Sequence, residues 1–192
     1  MLMTELSDFS TLWKVIRRLD QASIPYMLTG SMALNAYGHV RATNDIDIVI
    51  QVSAAEKEKI VPLFEKDFYI SKEAVLEALN TETMFNVIDN ETIFKVDFII
   101  AKQDSFSKQQ FQRRREILLD AQKIYVISPE DLILSKLEWS RESFSEMQER
   151  DIQNILRVQK GNLDQKYLET WADQKGFRKR LDQLYAKVGY TS

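Results

Sequence analysis

The segment from Asp45 to Ile50 restricts the possible folds most, because two acids alternate with aliphatic residues before the run becomes wholly apolar. Successive side chains of a β-strand point to opposite faces. The alternation therefore predicts a strand with Ile46 and Ile48 on a buried face and Asp45 and Asp47 together on the other. Strands disfavour Asp, and an unpaired buried carboxylate is unfavourable. The pair therefore requires a cation.

A third acid, Asp97, is embedded in the apolar segment from Lys95 to Ile99. By itself it could be a hydrogen-bonded core acid or a residue at a strand end. If its strand lies beside the one that starts at Asp45, three carboxylates converge. Hard divalent ions such as Mg²⁺ prefer oxygen ligands, and two such ions about 4 Å apart support in-line phosphoryl displacement. The three acids together predict a metal-dependent phosphate chemistry.

Gly30 and Ser31 stand between a predicted strand, 26–29, and a predicted helix that starts near Met32. Glycine lets the backbone approach a ligand closely, and a helix start offers unpaired N–H groups to phosphate. A Gly-Ser pair is common in turns of every kind, so it supports a triphosphate site only in combination with the acids.

The remaining pattern predicts a mixed α/β part up to residue 127, followed by an all-helical part, 128–192, packed on it. Ser128 and Pro129 mark a helix start, and breaks are expected at 161–162 and 176. The predicted helices cover 9–19, 32–37, 54–65, 72–79 and 106–119, and the predicted strands cover 26–29, 45–52, 68–70, 84–88, 92–100 and 123–127.

Composition excludes several classes of protein and site. The chain has no cysteine, so disulfides and thiolate metal sites are impossible. No apolar run reaches about 18 residues and no signal peptide is recognisable, so we expect a cytoplasmic protein without a membrane span. Residues 157–192 carry eight Lys and Arg against four Asp and Glu. That basic bias suits either a phosphate-binding face or an ordinary solvated helix surface.

The Gly-Ser pair, the Asp-Ile-Asp pair and the lone Asp97 resemble the DNA polymerase beta-like nucleotidyltransferase superfamily. Within it, the chain looks most like a small bacterial branch that includes AbiEii-type toxin nucleotidyltransferases. The branch patterns match the segment from Arg41 to Asp47, the segment from Pro129 to Lys136, and the helix that begins Arg150-Asp151. Relatives often carry an acid where this chain has Asn154.

The resemblance implies a mixed α/β (α+β) nucleotidyltransferase sheet flanked by helices, with residues 1–127 as the core and 128–192 as the helical C-terminal part. It also implies that Asp45, Asp47 and Asp97 are catalytic metal ligands. Asp45 and Asp47 would hold Mg²⁺ on the nucleotide phosphates. Asp97 would complete a second metal site and help deprotonate the acceptor.

The same resemblance implies a set of nucleotide-binding residues. Ser31, next to Gly30, would bind phosphate. Lys136 would steady the triphosphate, with Asp151 as the acid near it. Arg41 has two roles open to it, since it could reach phosphate or pair with a carboxylate and fix the loop.

The reaction implied is transfer of a nucleoside monophosphate from an NTP to an acceptor hydroxyl, with two Mg²⁺ ions and Mn²⁺ as a substitute. RNA such as a tRNA end, a protein and a small molecule are the candidate acceptors, and an oligomer is compatible with the sequence. The alternative is a non-catalytic nucleotide- or partner-binding scaffold, for example a toxin–antitoxin component.

A few other residues allow two interpretations. His39 fits a loop residue or a nucleotide contact, and Arg113–Arg115, predicted on a helix, fits a solvated face or an RNA contact. Trp13, Trp139 and Trp171 are expected in packing rather than as stacking platforms.

Overall fold

The computed structural model describes residues 2–37, 43, 45–141 and 145–190. The strands are β1 (Tyr26–Thr29), β2 (Asp45–Ile50), β3 (Phe68–Ile70), β4 (Met84–Asp89), β5 (Lys95–Ile100), β6 (Arg115–Leu119) and β7 (Gln122–Val126). The α-helices are α1 (Leu2–Gln21), α2 (Gly30–Ala36), α3 (Ile60–Phe64), α4 (Lys72–Thr81), α5 (Ser105–Gln112), α6 (Pro129–Trp139), α7 (Glu146–Val158), α8 (Gln165–Gln174) and α9 (Arg178–Val188).

The strands of the described residues form one seven-stranded mixed sheet in the order β3-β4-β5-β2-β1-β7-β6. The pairs β2/β5 and β1/β7 are parallel, and the other neighbours are antiparallel. The predicted α/β fold class is confirmed. The strand that carries the two aspartates is interior to the sheet, with β5 on one side and β1 on the other.

The sheet has one face buried in the main core. Ile46, Ile48 and Phe98 are fully buried on that face, and Phe64 of α3 packs on Phe98 with ring centroids 5.1 Å apart. In β2 the residues that alternate with Ile46 and Ile48 are Asp45 and Asp47, and both are only partly buried. The alternation predicted from the sequence therefore holds, and it turns the carboxylates away from this core.

The helix predicted over 106–119 is wrong in its second half. Helix α5 ends at Gln112, and residues 115–119 form strand β6, which pairs with β7. Asp120 and Ala121 both adopt positive φ, 47° and 61°, as a tight β-hairpin turn requires. Pairing with β7 is a long-range contact that local periodicity does not reveal.

The helix predicted over 54–65 is wrong in its first half. A turn and a short 3₁₀ segment, Lys57–Lys59, precede α3, which starts only at Ile60. Proline lacks a backbone N–H and is tolerated in the first turn of a helix but not in its interior. Because α3 starts at Ile60, Pro62 falls in that first turn.

The other predicted elements are present, the strands over 26–29 and 68–70 with the predicted bounds and the rest with shifted ends. Beyond Ser128 the described residues are helical, as predicted, with breaks around 161–162 and 176 and an additional one between Trp139 and Glu146. The buried cluster includes both sheet residues and residues of α6 to α9. The division at residue 127 stays a prediction. Within the described part of the chain, no helix is long and apolar enough to cross a membrane.

Candidate active site

The strand register brings two of the predicted acids into one row across the sheet. Asp47 of β2 lies opposite Asp97 of the parallel strand β5, and Thr29 of β1 lies on the other side of Asp47. Asn86 of β4 is opposite Asp97 and completes the row. Asp45 lies two residues before Asp47 on the same face. We call Asp45, Asp47 and Asp97 the acidic cluster.

Lys95 is the cation of this cluster. Its Nζ lies 2.9 Å from Asp97 Oδ2 and 3.3 Å from Asp45 Oδ1. The hydrogen bond to Asp97 is the main reason that the pKa of Lys95 is raised above its ordinary value. Burial, followed by the charges of Asp97 and Asp45, raises the pKa of Asp47. Lys95 therefore compensates the cluster only in part.

Gly30 lies directly against Asp47. Its φ is +63°, and a Cβ built on it would lie 1.9 Å from Asp47 Oδ2 and 2.6 Å from Asp47 Cγ. Any side chain at position 30 would therefore displace the carboxylate. Ser31 follows in the first turn of α2, so the Gly-Ser pair and the aspartates occupy one place in the structure.

Lys136 and Asp151 form a buried ion pair between α6 and α7. Lys136 Nζ donates to Asp151 Oδ2 at 2.8 Å and to Gln148 Oε1 at 2.9 Å. Both side chains of the ion pair are less than one-tenth exposed. The ammonium group is thus held in a fixed position by two acceptors from the neighbouring helix.

A pocket of about 520 Å³ joins these groups. Its lining includes six of the residues predicted for the site, Gly30, Ser31, Asp45, Asp47, Asp97 and Lys136. Asp151 is not among the lining residues and contacts the pocket through Lys136. Arg41 and His39 lie outside the described residues. Their roles, like those of the lining residues, stay predictions.

Among the described residues, no group of three acidic or histidine side chains is arranged so that it could hold a metal ion as it stands. The acidic cluster nevertheless has the chemistry expected of a divalent-metal site. Asp97 Oδ1 is buried and has no hydrogen-bond partner in the described part of the chain. Buried polar atoms normally have partners. Carboxylate oxygens are the ligands that Mg²⁺ prefers. The donor set and the unpartnered oxygen therefore fit a divalent ion, which would take over part of the role of Lys95.

Four residues at this site were not predicted from the sequence. Three of them line the pocket and one pairs with the acidic cluster: Trp139, Met147, Gln148 and Lys95. Lys95 could have been noticed, because it shares a strand face with Asp97 by the period of two. Gln148 and Met147 have no such signal, because their approach depends on how α7 packs on α6. Trp139 was expected in packing, but 60% of it is exposed at the pocket. Trp13 is buried as expected, and Trp171 packs on Phe106 with centroids 4.8 Å apart.

Two segments rich in basic residues, 113–115 and 178–180, make contacts within the chain. Arg113 and Arg115 both lie 3.4 Å from Glu130, and Arg113 stacks on Tyr167 at 3.7 Å. Arg178 pairs with acids of α8 and α9, and Arg180 pairs with Glu149 of α7. The prediction that Arg113 and Arg115 lie on one helix is wrong, because Arg113 follows the end of α5 and Arg115 starts β6. Much of the positive charge expected of a phosphate-binding face is thus matched by acids.

Residues 6–185 match the model of a family described as nucleotidyltransferase of unknown function (DUF6036). The match covers most of the chain and confirms the predicted nucleotidyltransferase superfamily. The more detailed resemblance to AbiEii-type toxins stays a prediction. A comparison with curated proteins found no match.

Several solved structures share the fold at low identity. The structure of ANT(2")-Ia in complex with adenylyl-2"-tobramycin is 14% identical, with TM-score 0.59 and coverage of 90% of this chain and 97% of that one. The lincomycin-bound lincosamide antibiotic adenylyltransferase LnuA is 16% identical, with TM-score 0.54 and coverage of 77% and 95%. An antigenic nucleotidyltransferase-like protein from Paracoccidioides brasiliensis is 20% identical, with TM-score 0.55 and coverage of 91% and 90%. At these identities the likeness supports the fold alone.

Proposed function

This chain belongs to the nucleotidyltransferase family DUF6036, and on that premise we propose that it transfers a nucleoside monophosphate from an NTP to an acceptor hydroxyl. The hydroxyl oxygen attacks the α-phosphorus, the bond to the β-phosphate breaks, and pyrophosphate leaves. The observation that carries the proposal is the acidic cluster, which lines one pocket together with Gly30, Ser31 and Lys136.

Asp45, Asp47 and Asp97 would hold the divalent ions, Mg²⁺ or Mn²⁺, through their carboxylate oxygens. A bound divalent ion supplies stabilisation of negative charge on the phosphate oxygens. The Oδ1 of Asp97, which has no partner among the described residues, would hold an ion, and its Oδ2, which contacts Lys95 Nζ, would accept the proton of the acceptor hydroxyl.

The remaining residues position the nucleotide. Gly30 lets the Asp47 carboxylate lie directly against the turn before Ser31, so a phosphate bound at that turn would be next to the carboxylate. Lys136, fixed by Asp151 and Gln148, presents a positive charge to the same pocket. Transfer of this kind depends mainly on positioning and on charge stabilisation. Arg41 remains a candidate phosphate contact.

The test is a calorimetric titration of ATP, GTP, CTP and UTP, with and without Mg²⁺. We expect at least one nucleotide to bind the wild type in a Mg²⁺-dependent manner and the Asp45→Asn/Asp47→Asn variant to lose that binding. The variant Asp20→Asn/Asp120→Asn removes the same charge away from the pocket and should bind as the wild type does. If no nucleotide binds a folded wild type, the proposal fails and a non-catalytic scaffold becomes the better account.

A further inference from the structure

An apolar row lies next to the acidic one on the same face of the sheet. Val49 of β2 is opposite Ile99 of β5, which is opposite Met84 of β4. Each strand rises about 3.3 Å per residue, so this row is about 7 Å from the row of Asp47 and Asp97. All three apolar residues line the same pocket as the acids.

Helices α5, α6 and α7 supply the wall that faces this row, through Phe106, Trp139 and Met147. We call the pocket region of Val49, Met84, Ile99, Phe106, Trp139 and Met147 the apolar half. Trp139 lies one helical turn after Lys136, and Met147 directly precedes Gln148. The elements that hold the lysine therefore also carry the apolar half.

Three residues of the apolar half are unusually exposed for their size. Eight large hydrophobic residues are exposed among the described ones, and three of them, Met84, Trp139 and Met147, line this one pocket. Clustered exposure of large apolar side chains marks a binding surface, whereas scattered single residues need no explanation. Ligand pockets of about 300–1,000 Å³ usually combine such walls with a few polar groups.

Two of the charges around the apolar half, on Glu138 and Lys136, are matched within the protein. Glu138 accepts from Lys175 Nζ at 3.0 and 3.1 Å. Lys136 is matched by Asp151. Besides these two residues and the acidic cluster, the described lining residues include one more charged residue, Lys102. Because the acidic cluster would hold the divalent ions of the proposed function, a polycation would need further acids here, and a polynucleotide would need a series of cations. The lining thus favours an uncharged ligand.

We propose that the apolar half is the acceptor subsite and that the acceptor is a small uncharged molecule with an apolar, ring-like face and a hydroxyl group. This inference rests on the proposed function, because it assigns the acceptor of that reaction. The apolar face packs on Trp139 and Met147, and the hydroxyl reaches the neighbouring row. Its oxygen bonds to the α-phosphorus, its proton passes to Asp97, and pyrophosphate leaves.

The first experiment measures binding by ligand-observed NMR, with phenyl β-D-glucoside as an uncharged ring-bearing probe and glucose as the matched probe without the ring. We expect the glucoside to bind and glucose not to bind. Trp139→Ala should weaken glucoside binding about tenfold, since an exposed aromatic contact is lost, and Trp139→Phe should restore most of it. Leu118→Ala alters a large exposed residue outside the pocket and should have no effect.

Two charged probes and the nucleotide complete the test. Tobramycin as a polycation, or a CCA trinucleotide as an RNA end, would overturn the proposal by binding more tightly than the glucoside. Failure of the glucoside to bind would also overturn it. So would an equal loss of NTP affinity in Trp139→Ala, because the apolar half would then hold the nucleobase.

The same measurements separate this inference from the proposed function. If the wild type binds Mg²⁺-NTP but not the glucoside, only the acceptor assignment fails. If no NTP binds, the transferase proposal fails whatever the glucoside does.

Discussion

Gly30 and Asp47 determine each other's position at the level of single atoms. The space that a Cβ would fill at residue 30 is taken by the carboxylate, and the positive φ of Gly30 adds a second reason for glycine. The close approach puts the carboxylate beside the turn that would receive phosphate. A Gly-Ser pair is a weak signal in a sequence, but its glycine, Gly30, is a strict requirement in the structure.

Replacement of Gly30 by Ala separates these two reasons. Alanine at positive φ costs about 1 kcal/mol, and Gly189, with φ +62° and open space where a Cβ would lie, allows the same strain to be tested without a clash. We expect Gly30→Ala to weaken Mg²⁺-NTP binding more than tenfold and Gly189→Ala to leave it unchanged. Calorimetric titration of both variants checks this, and equal affinities would contradict the proposed role of Gly30.

The positions of the acids and the place of Lys95 beside Asp97 were predictable from sequence, but the contact of Lys95 with Asp45 was not. Asp45, Asp47 and Asp97 each interrupt an apolar strand, which is a local signal. The contact of Lys95 with Asp45 depends on which strands are neighbours and on their register, because the two residues are paired across β2 and β5. Such long-range pairing is absent from the local pattern.

At the level of elements, helices α6 and α7 are joined by the Lys136–Asp151 ion pair. Loss of one partner of a buried pair leaves an uncompensated charge, whereas replacement of both partners by apolar residues is often neutral. The pair therefore offers a way to separate its structural role from its proposed role in binding phosphate.

We expect Lys136→Met to lower the free energy of unfolding by about 3 kcal/mol. The double variant Lys136→Met/Asp151→Leu should recover most of that loss but not the binding of Mg²⁺-NTP, because the positive charge stays absent. Urea denaturation and nucleotide titration of both variants provide the test. Recovery of nucleotide binding in the double variant would show that Lys136 acts only in packing.

The elements also differ in how far their own residues determine them. The start of α6 was predictable because Ser128 caps it through a hydrogen bond from Asp131 N–H to its Oγ at 3.1 Å. Strand β6 was not, because its residues also fit a helical period and only the hairpin with β7 decides their conformation. Local chemistry defines helix starts, whereas strands depend on distant partners.

Across the whole molecule, Asp89 ties helix α1 to the turn between β4 and β5. It accepts from Thr11 Oγ1 at 2.9 Å, from Lys14 Nζ at 3.0 Å and from the backbone N–H of Glu91 at 2.9 Å. Burial by itself would raise the pKa of Asp89, but these donors outweigh it and leave the pKa below its ordinary value.

A lowered pKa makes the stabilisation by Asp89 dependent on pH. The contribution is present above the ordinary pKa of 3.8 and is lost as pH falls through the lower value in the folded protein. We expect Asp89→Asn to lower the free energy of unfolding by about 2 kcal/mol at pH 7 and by less at pH 3. Urea denaturation at both pH values checks this, with Asp120→Asn as the exposed control. A difference that does not shrink with acid would contradict the assignment.

At the scale of the whole molecule, we propose that the pocket transfers a nucleotidyl group. The most direct measurement uses the NTP that binds most tightly, labelled in one sample at the α-phosphate and in another at the γ-phosphate, with phenyl β-D-glucoside or water as acceptor. We predict that the α-label appears in the acceptor product or in NMP and the γ-label in pyrophosphate, and that Asp97→Asn abolishes both. Transfer of the γ-label to the acceptor, or its release as inorganic phosphate, would contradict the account.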